Sequence, residues 1–206
     1  MIISTLVTEC SEHTDAAKLP YYNTADFSPL FLSSSEEINK KVKHVIPAFS
    51  FTDQNGNNIT DKEIDGKIHI ANFIFTSCIS ICPVMTRHLK LIQSKYYNNP
   101  GVVMLSFSVT PWIDDVRRLK KFAVQHEITS QNWHLLTGNK SQIYTLARKS
   151  YFAEEYLGFT KDSTQFLHTE HIILVDKNKR IRGIYNGTLE LEVQQLSADI
   201  RQLLKE

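Results

Sequence analysis

Ile68-His69-Ile70-Ala71-Asn72-Phe73-Ile74-Phe75-Thr76-Ser77-Cys78-Ile79-Ser80-Ile81-Cys82-Pro83 is the stretch from which the rest of the chain is read. Ile68 to Phe75 is mostly β-branched or aromatic, the composition of a buried strand. Met85, Leu89, Ile92 and Tyr96 then recur at steps of four, three and four, the spacing of one helix face. Two cysteines separated by three residues therefore occupy a strand-to-helix turn. Proline is welcome in the first helical turn but costs roughly 3 kcal/mol in a helix interior, so Pro83 starts the helix near Cys82 and leaves Cys78 in the preceding loop. Unpaired N–H groups and the positive end of a helix dipole favour a thiolate there over a thiol. Free cysteine is often only a buried hydrophobe, and a disulfide closing so short a loop would restrain the unfolded chain weakly. The position of the pair points instead to redox or metal chemistry.

Composition narrows the field. A chain of 206 residues can bury a substantial core in one domain without staples. Twenty-three Lys and Arg against 22 Asp and Glu give a net charge of +1, and no basic stripe with interleaved aromatics occurs, so nucleic acid is excluded as a partner. Three cysteines cannot make a four-thiolate zinc site, and neither Cys-x-x-Cys-His nor paired Cys-x-x-Cys is present. The longest apolar stretch, 68–81, is interrupted by polar residues and too short to span a bilayer. The first nine residues are apolar, like the end of an export signal, and Cys10 followed by Ser-Glu-His-Thr-Asp matches the start of a lipid-anchored mature protein. Glu9 stands against that, because such cleavage sites want a small residue before the cysteine. A gene-start remnant is the other reading, and membrane contact is expected only through such a lipid.

Residues 11–42 show no sustained period, and 1–42 reads as an extended arm leading to a domain over 43–206. Val45 to Thr52 alternates and ends at the hairpin signal Asp53-Gln-Asn-Gly56-Asn. Val102 to Val109 is a second core strand. Asp114 and Asp115 open a helix whose apolar face holds Val116, Leu119, Phe122 and Ala123, with both carboxylates at the positive end of its dipole. Trp133 to Leu136 is a strand, Ser141 to Ser150 a helix, Ile172 to Asp176 and Ile181 to Tyr185 a closing hairpin. Leu189, Val193, Leu196, Ile200 and Leu203 mark a final amphipathic helix. Strands separated by helices need crossover connections, which predicts an α/β fold with a central mixed sheet covered by helices on both faces. The order β-α-β-α-β-α-β-β-α, with cysteines after the first crossover strand, is similar to the thioredoxin-like fold.

Two thiolates in a turn suit a soft ion, and Cu(I) accepts two sulfurs and one imidazole. Of the eight histidines, His44, His69, His126 and His134 lie in or beside strand and helix patterns and read as structural. His88, six residues past Cys82, points away from the turn. His168 and His171, in Phe166-Leu-His168-Thr-Glu-His171 just before a core strand, both remain candidates. Phe75-Thr-Ser-Cys78-Ile-Ser-Ile-Cys82-Pro83, then Ser108-Val-Thr110-Pro111-Trp-Ile-Asp114, then His168 eight residues before Asp176, together resemble the Sco/SenC copper chaperones of cytochrome c oxidase assembly over roughly 43–205. The resemblance implies that Cys78, Cys82 and His168 are the metal ligands, since the spacing to Asp176 matches the family histidine and that of His171 does not. The family commonly has Asp directly before the proline that is Pro111 here; this chain has Thr110, while Asp114 matches the later acidic position.

By that resemblance the expected cargo is copper, as Cu(I) or Cu(II). The expected partners are a copper donor protein and the oxidase subunit carrying the CuA site, and the expected place is the bacterial cell envelope, facing the periplasm; whether Cys10 anchors it there is left open between the two readings of the first residues. Two other classes stay open. Cys78 and Cys82 can act as a redox pair in thiol-disulfide exchange, with Cys78 attacking and Cys82 resolving, to reduce the oxidase cysteines. A redox-sensing adaptor is the non-catalytic reading. A peroxidase needs an activated thiol that nothing beyond the turn supplies.

Overall fold

The computed structural model describes residues 18–153 and 169–206; Cys10 and His168 lie outside the described residues. In chain order the elements are β1 (Tyr21–Tyr22), β2 (Pro29–Leu30), α1 (Ser35–Lys41), β3 (Ser50–Asp53), β4 (Asn58–Thr60), a 3-10 turn (Asp61–Ile64), β5 (Ile68–Ile74) and α2 (Ile81–Tyr96). There follow β6 (Val102–Ser108), α3 (Val116–Gln125), β7 (Trp133–Thr137), α4 (Lys140–Lys149), β8 (His171–Val175), β9 (Ile181–Asn186) and α5 (Glu190–Lys205). Among the described residues the strands form one mixed sheet in the order β2-β1-β9-β8-β5-β6-β7-β3-β4. β5, β6 and β7 run parallel, each joined to the next by a helix because a parallel pair needs a crossover. β8 is antiparallel to β5 and pairs with β9 as a hairpin.

β5 is buried along its whole length because both faces are covered, which explains its nearly unbroken apolar run. Side chains alternate across it. Ile68, Ile70 and Ile74 join Ile172 and Leu174 of β8 under α2, α3 and α5, in the layer that also holds both cysteines. Ala71 and Phe73 join Ile173 and Val175 in the opposite layer, under Ile143, Tyr144 and Ala147 of α4 and around Tyr151 and Phe107. Gly56 takes φ +82° in the β3–β4 turn, a left-handed conformation glycine adopts without a Cβ penalty. There Asp53 Oδ1 accepts hydrogen bonds from the N–H groups of Asn55 and Asn57, both at 2.8 Å.

Several expectations are corrected. Residues 18–42, read as an arm without regular structure, are laid along the sheet edge: β1 pairs with β2 and, at Tyr22, with Ile181 of β9. The anchor is Arg182, almost fully buried, which donates to the carbonyls of Pro20 (3.1 Å) and Leu19 (2.9 Å) and to Glu206 (2.8 Å) and stacks 4.0 Å from the Tyr21 ring. Elements this short carry too little periodicity to be read from sequence. The strand expected from Val45 begins only at Ser50; Pro47 removes a donor on the way, and the Ile46 N–H bonds the Lys179 carbonyl instead (2.9 Å). Asp114 does not open α3: Asp115 caps it, accepting from the Arg118 N–H at 2.7 Å, and Asp114 turns inward.

Candidate metal centre

The two cysteines stand where the sheet's parallel strands end and α2 begins. Residues 75–80 leave β5 as a tight turn, with the Cys78 N–H bonded to the Phe75 carbonyl at 3.1 Å. Ser80 takes the N-cap position of α2 without using its hydroxyl as a cap. Cys78 does that work: its Sγ accepts from the Cys82 N–H at 3.4 Å, so a sulfur serves a donor that the helix start leaves unpaired. Pro83 lies in the same first turn, where a missing N–H costs nothing. Both cysteines are free thiols.

The sulfurs have unequal environments. Burial pulls Cys78 toward the thiol, but the N–H groups of Cys82, Ser80 and Ile81 outweigh it and hold its pKa below the ordinary value. Burial is also the largest influence on Cys82 and wins there, pushing it up to about 12; the Phe75 N–H opposes, while Cys78 and the Asp114 carboxylate add to the rise. Cys78 is thus the ionisable, reachable sulfur at 9% exposure, and Cys82, at 2%, lies under it against the core.

Asp114 forms the floor beneath this turn. Fully buried, it accepts from the Thr76 N–H (3.2 Å) and from the hydroxyls of Thr76 (2.5 Å), Ser108 (2.7 Å) and Thr110 (2.9 Å). Thr110, standing where a carboxylate is common in the family it resembles, is therefore a donor to the carboxylate that remains. Arg118 reaches over the same point from α3, its Nε 2.6 Å from Thr76 Oγ1 and 3.5 Å from Asp114 Oδ1, its Nη2 2.8 Å from Ser77 Oγ. The base of the cysteine turn is thus fastened to β6 and α3 by side chains. Sequence reading assigned Asp114 to a helix dipole and gave Arg118 no role. The available signal was three hydroxyl residues, Thr76, Ser108 and Thr110, at the ends of strands otherwise built of apolar residues.

The histidines sort as follows. His44 Nε2 bonds the Ser150 carbonyl (2.7 Å) and its ring lies 4.4 Å from that of Phe152. His69 meets the Tyr151 hydroxyl (3.1 Å), His134 meets Asp53 (3.3 Å), and His126 packs 4.2 Å from the Phe122 ring. His88 turns from the cysteines to the Gly187 carbonyl (2.9 Å). His171 starts β8 in phase with Ile173 and Val175, on the face away from the cysteines, its ring edge-on to Phe27 at 6.2 Å. His171 therefore does not stand beside the two thiols. Among the described residues no third histidine, cysteine or carboxylate completes a metal-holding group with the two thiols.

This sheet, with a paired-cysteine turn at the helix N-terminus after its first crossover strand, defines a thioredoxin-like dithiol domain. The profile of the SCO1/SenC family matches residues 38–205, and the chain belongs to that family. The SCO1 protein homolog of Bacillus subtilis (strain 168) is 32% identical over 182 residues, covering 86% of this chain and 93% of that protein. A SCO1/SenC family lipoprotein from Bacillus anthracis str. Ames superposes with a TM-score of 0.68 at 27% identity, over 79% of this chain and 96% of that one. BsSco, described as having a disulfide switch and as a member of the Sco family of cytochrome c oxidase assembly proteins, gives 0.65 at 31% identity, over 79% and 94%. Bradyrhizobium japonicum ScoI with copper bound shares the fold, at 24% identity and a TM-score of 0.57 over 77% of this chain and 99% of that one. No helix among the described residues is long and apolar enough to cross a membrane.

Proposed function

We propose that this protein carries one copper ion on the Cys78 and Cys82 thiolates with the His168 imidazole as third ligand, and delivers it to the CuA site of cytochrome c oxidase. The observation that carries the reading is the dithiol at the start of α2, in which one sulfur is stabilised as a thiolate and the other is held directly beneath it. Two thiolates select a soft ion, and copper binding displaces the Cys82 proton that burial otherwise retains. A turn carries the ligands, which suits a metal that must leave as well as arrive. The copper-bound Bradyrhizobium relative and the oxidase-assembly role ascribed to BsSco support this reading. The Bacillus anthracis lipoprotein supports an envelope location with Cys10 as anchor. Copper titration of the reduced protein beside His168→Ala tests the ligand set. A loss of affinity of about tenfold or more is expected in the variant, and an unchanged affinity removes His168.

The unequal thiols favour a second reading, thiol-disulfide exchange. The Cys78 thiolate attacks one sulfur of a partner disulfide and releases the other as a thiolate. Cys82 then gives up its proton and displaces the first, leaving a Cys78–Cys82 disulfide and a partner reduced by two electrons. Reduction of a disulfide in the CuA domain by the dithiol protein is the expected result; a dithiol that leaves it oxidised counts against this role.

A further inference from the structure

Exposed apolar side chains stand next to Cys78 and in the turn tied to it. Ile79, the next residue, is 97% exposed, and Trp112 and Ile113, in the turn before Asp114, are 56% and 42% exposed. Isolated apolar side chains on a surface need no explanation, but these flank one reactive sulfur. Asp114 and Arg118 join the two turns that bear them through Thr76 and Ser77, so they form one face. Beside it, α3 presents Arg117, Arg118, Lys120 and Lys121 within five positions, all exposed. Lys140 at the start of α4 sits 4.7 Å from the Trp112 ring centre, and 5.3 Å from that of Tyr144, which places a cation beside the exposed indole. Asp114, paired with Arg118 at 3.5 Å, and Asp115, at the cap of α3, offset part of this charge, and Arg117, Lys120, Lys121 and Lys140 have no carboxylate partner among the ion pairs of the described residues.

Resting on the copper-transfer reading, we propose that this face docks an acidic protein surface: Ile79, Trp112 and Ile113 form the apolar centre, and Arg117, Lys121 and Lys140 pair with partner carboxylates around it. Ile79 directly follows Cys78 and stands 97% exposed, so a molecule docked at the dithiol has an apolar side chain beside the sulfur to cover. The cations beside it steer a negatively charged partner into that orientation. A lipid surface would meet the same charges, but it would cover the sulfur and exclude the ligands that must take the metal from it. A protein with its own metal ligands at an acidic face satisfies both demands.

The test uses the full chain, reduced and metal-free, with the reduced soluble domain of the CuA-bearing oxidase subunit. Equilibrium binding is measured by calorimetry at about 0.02 M and about 0.2 M salt. Arg117→Glu/Lys121→Glu is expected to bind about tenfold more weakly at low salt and to lose most of the salt dependence. Trp112→Ala is expected to weaken binding about tenfold and keep the salt dependence. Both variants should bind copper as the unaltered protein does, because none of these residues touches the thiols. Unaltered affinity in both variants overturns the proposal, as does binding of the unaltered protein to phosphatidylglycerol vesicles but not to the domain. Salt-dependent docking that the variants abolish, with no copper passing to the domain when the copper-loaded full chain is mixed with it in a separate run, leaves the docking face standing and refutes the delivery role instead.

Discussion

At the scale of single residues, the chemistry turns on how differently two nearby thiols are treated. Cys78 receives N–H groups from the first turn of α2, whereas Cys82 points into the core. An alkylating reagent at neutral pH should therefore modify Cys78 first and leave Cys82 nearly untouched in the folded protein, since its pKa of about 12 leaves almost no thiolate. Peptide mapping after brief iodoacetamide treatment reads the ratio; equal labelling would show that the N–H groups do not favour one sulfur. The same preference decides the direction of exchange chemistry, because only a thiolate attacks.

Between elements, Asp114 is the tie that matters most. Its carboxylate collects donors from the end of β5, the end of β6 and the turn before α3, three places that the chain brings together only on folding. Asp114→Ala leaves those donors without their acceptor in a buried site and should cost about 3 kcal/mol in urea unfolding. Arg118→Ala removes a half-exposed group from the same place and should cost no more than about 1 kcal/mol. Similar losses for the two would mean that the carboxylate is not the centre of the network. Thr110 contributes a hydroxyl where a second carboxylate would bring like charge beside Asp114, so a single buried charge is kept.

Over the whole molecule, acid sensitivity is expected from the layer opposite the cysteines. His69 is fully buried beside Tyr151, and desolvation, with a smaller repulsion from Lys179, lowers its pKa from 6.5 to about 3. In the unfolded chain the imidazole takes a proton near its ordinary pKa, so below about 6.5 the unfolded state holds one proton more than the folded state. Stability then falls as pH drops from about 6.5 toward about 3, by up to about 1.4 kcal/mol per pH unit from this group. His69→Gln should flatten that part of the profile; denaturant titrations at several pH values that show an unchanged slope would assign the acid loss elsewhere.

Much of this was legible in the linear chain. The strand-turn-helix around Cys78 and Cys82, both later parallel strands, the closing hairpin and the terminal helix follow from side-chain periodicity and from Pro83, because each reflects local backbone preference and one-sided burial. The cysteine turn needed nothing beyond neighbours in sequence. What surrounds it did: the Asp114 floor, the Arg118 brace and the face to which His171 turns depend on residues tens of positions apart, whose meeting is fixed by strand order and register. The docking of residues 18–42 onto β9 was also settled in three dimensions, since segments of two to seven residues are too short to announce a period and are held by a buried arginine from the far end of the chain. Local chemistry chose the reactive pair; tertiary packing made its two members unequal.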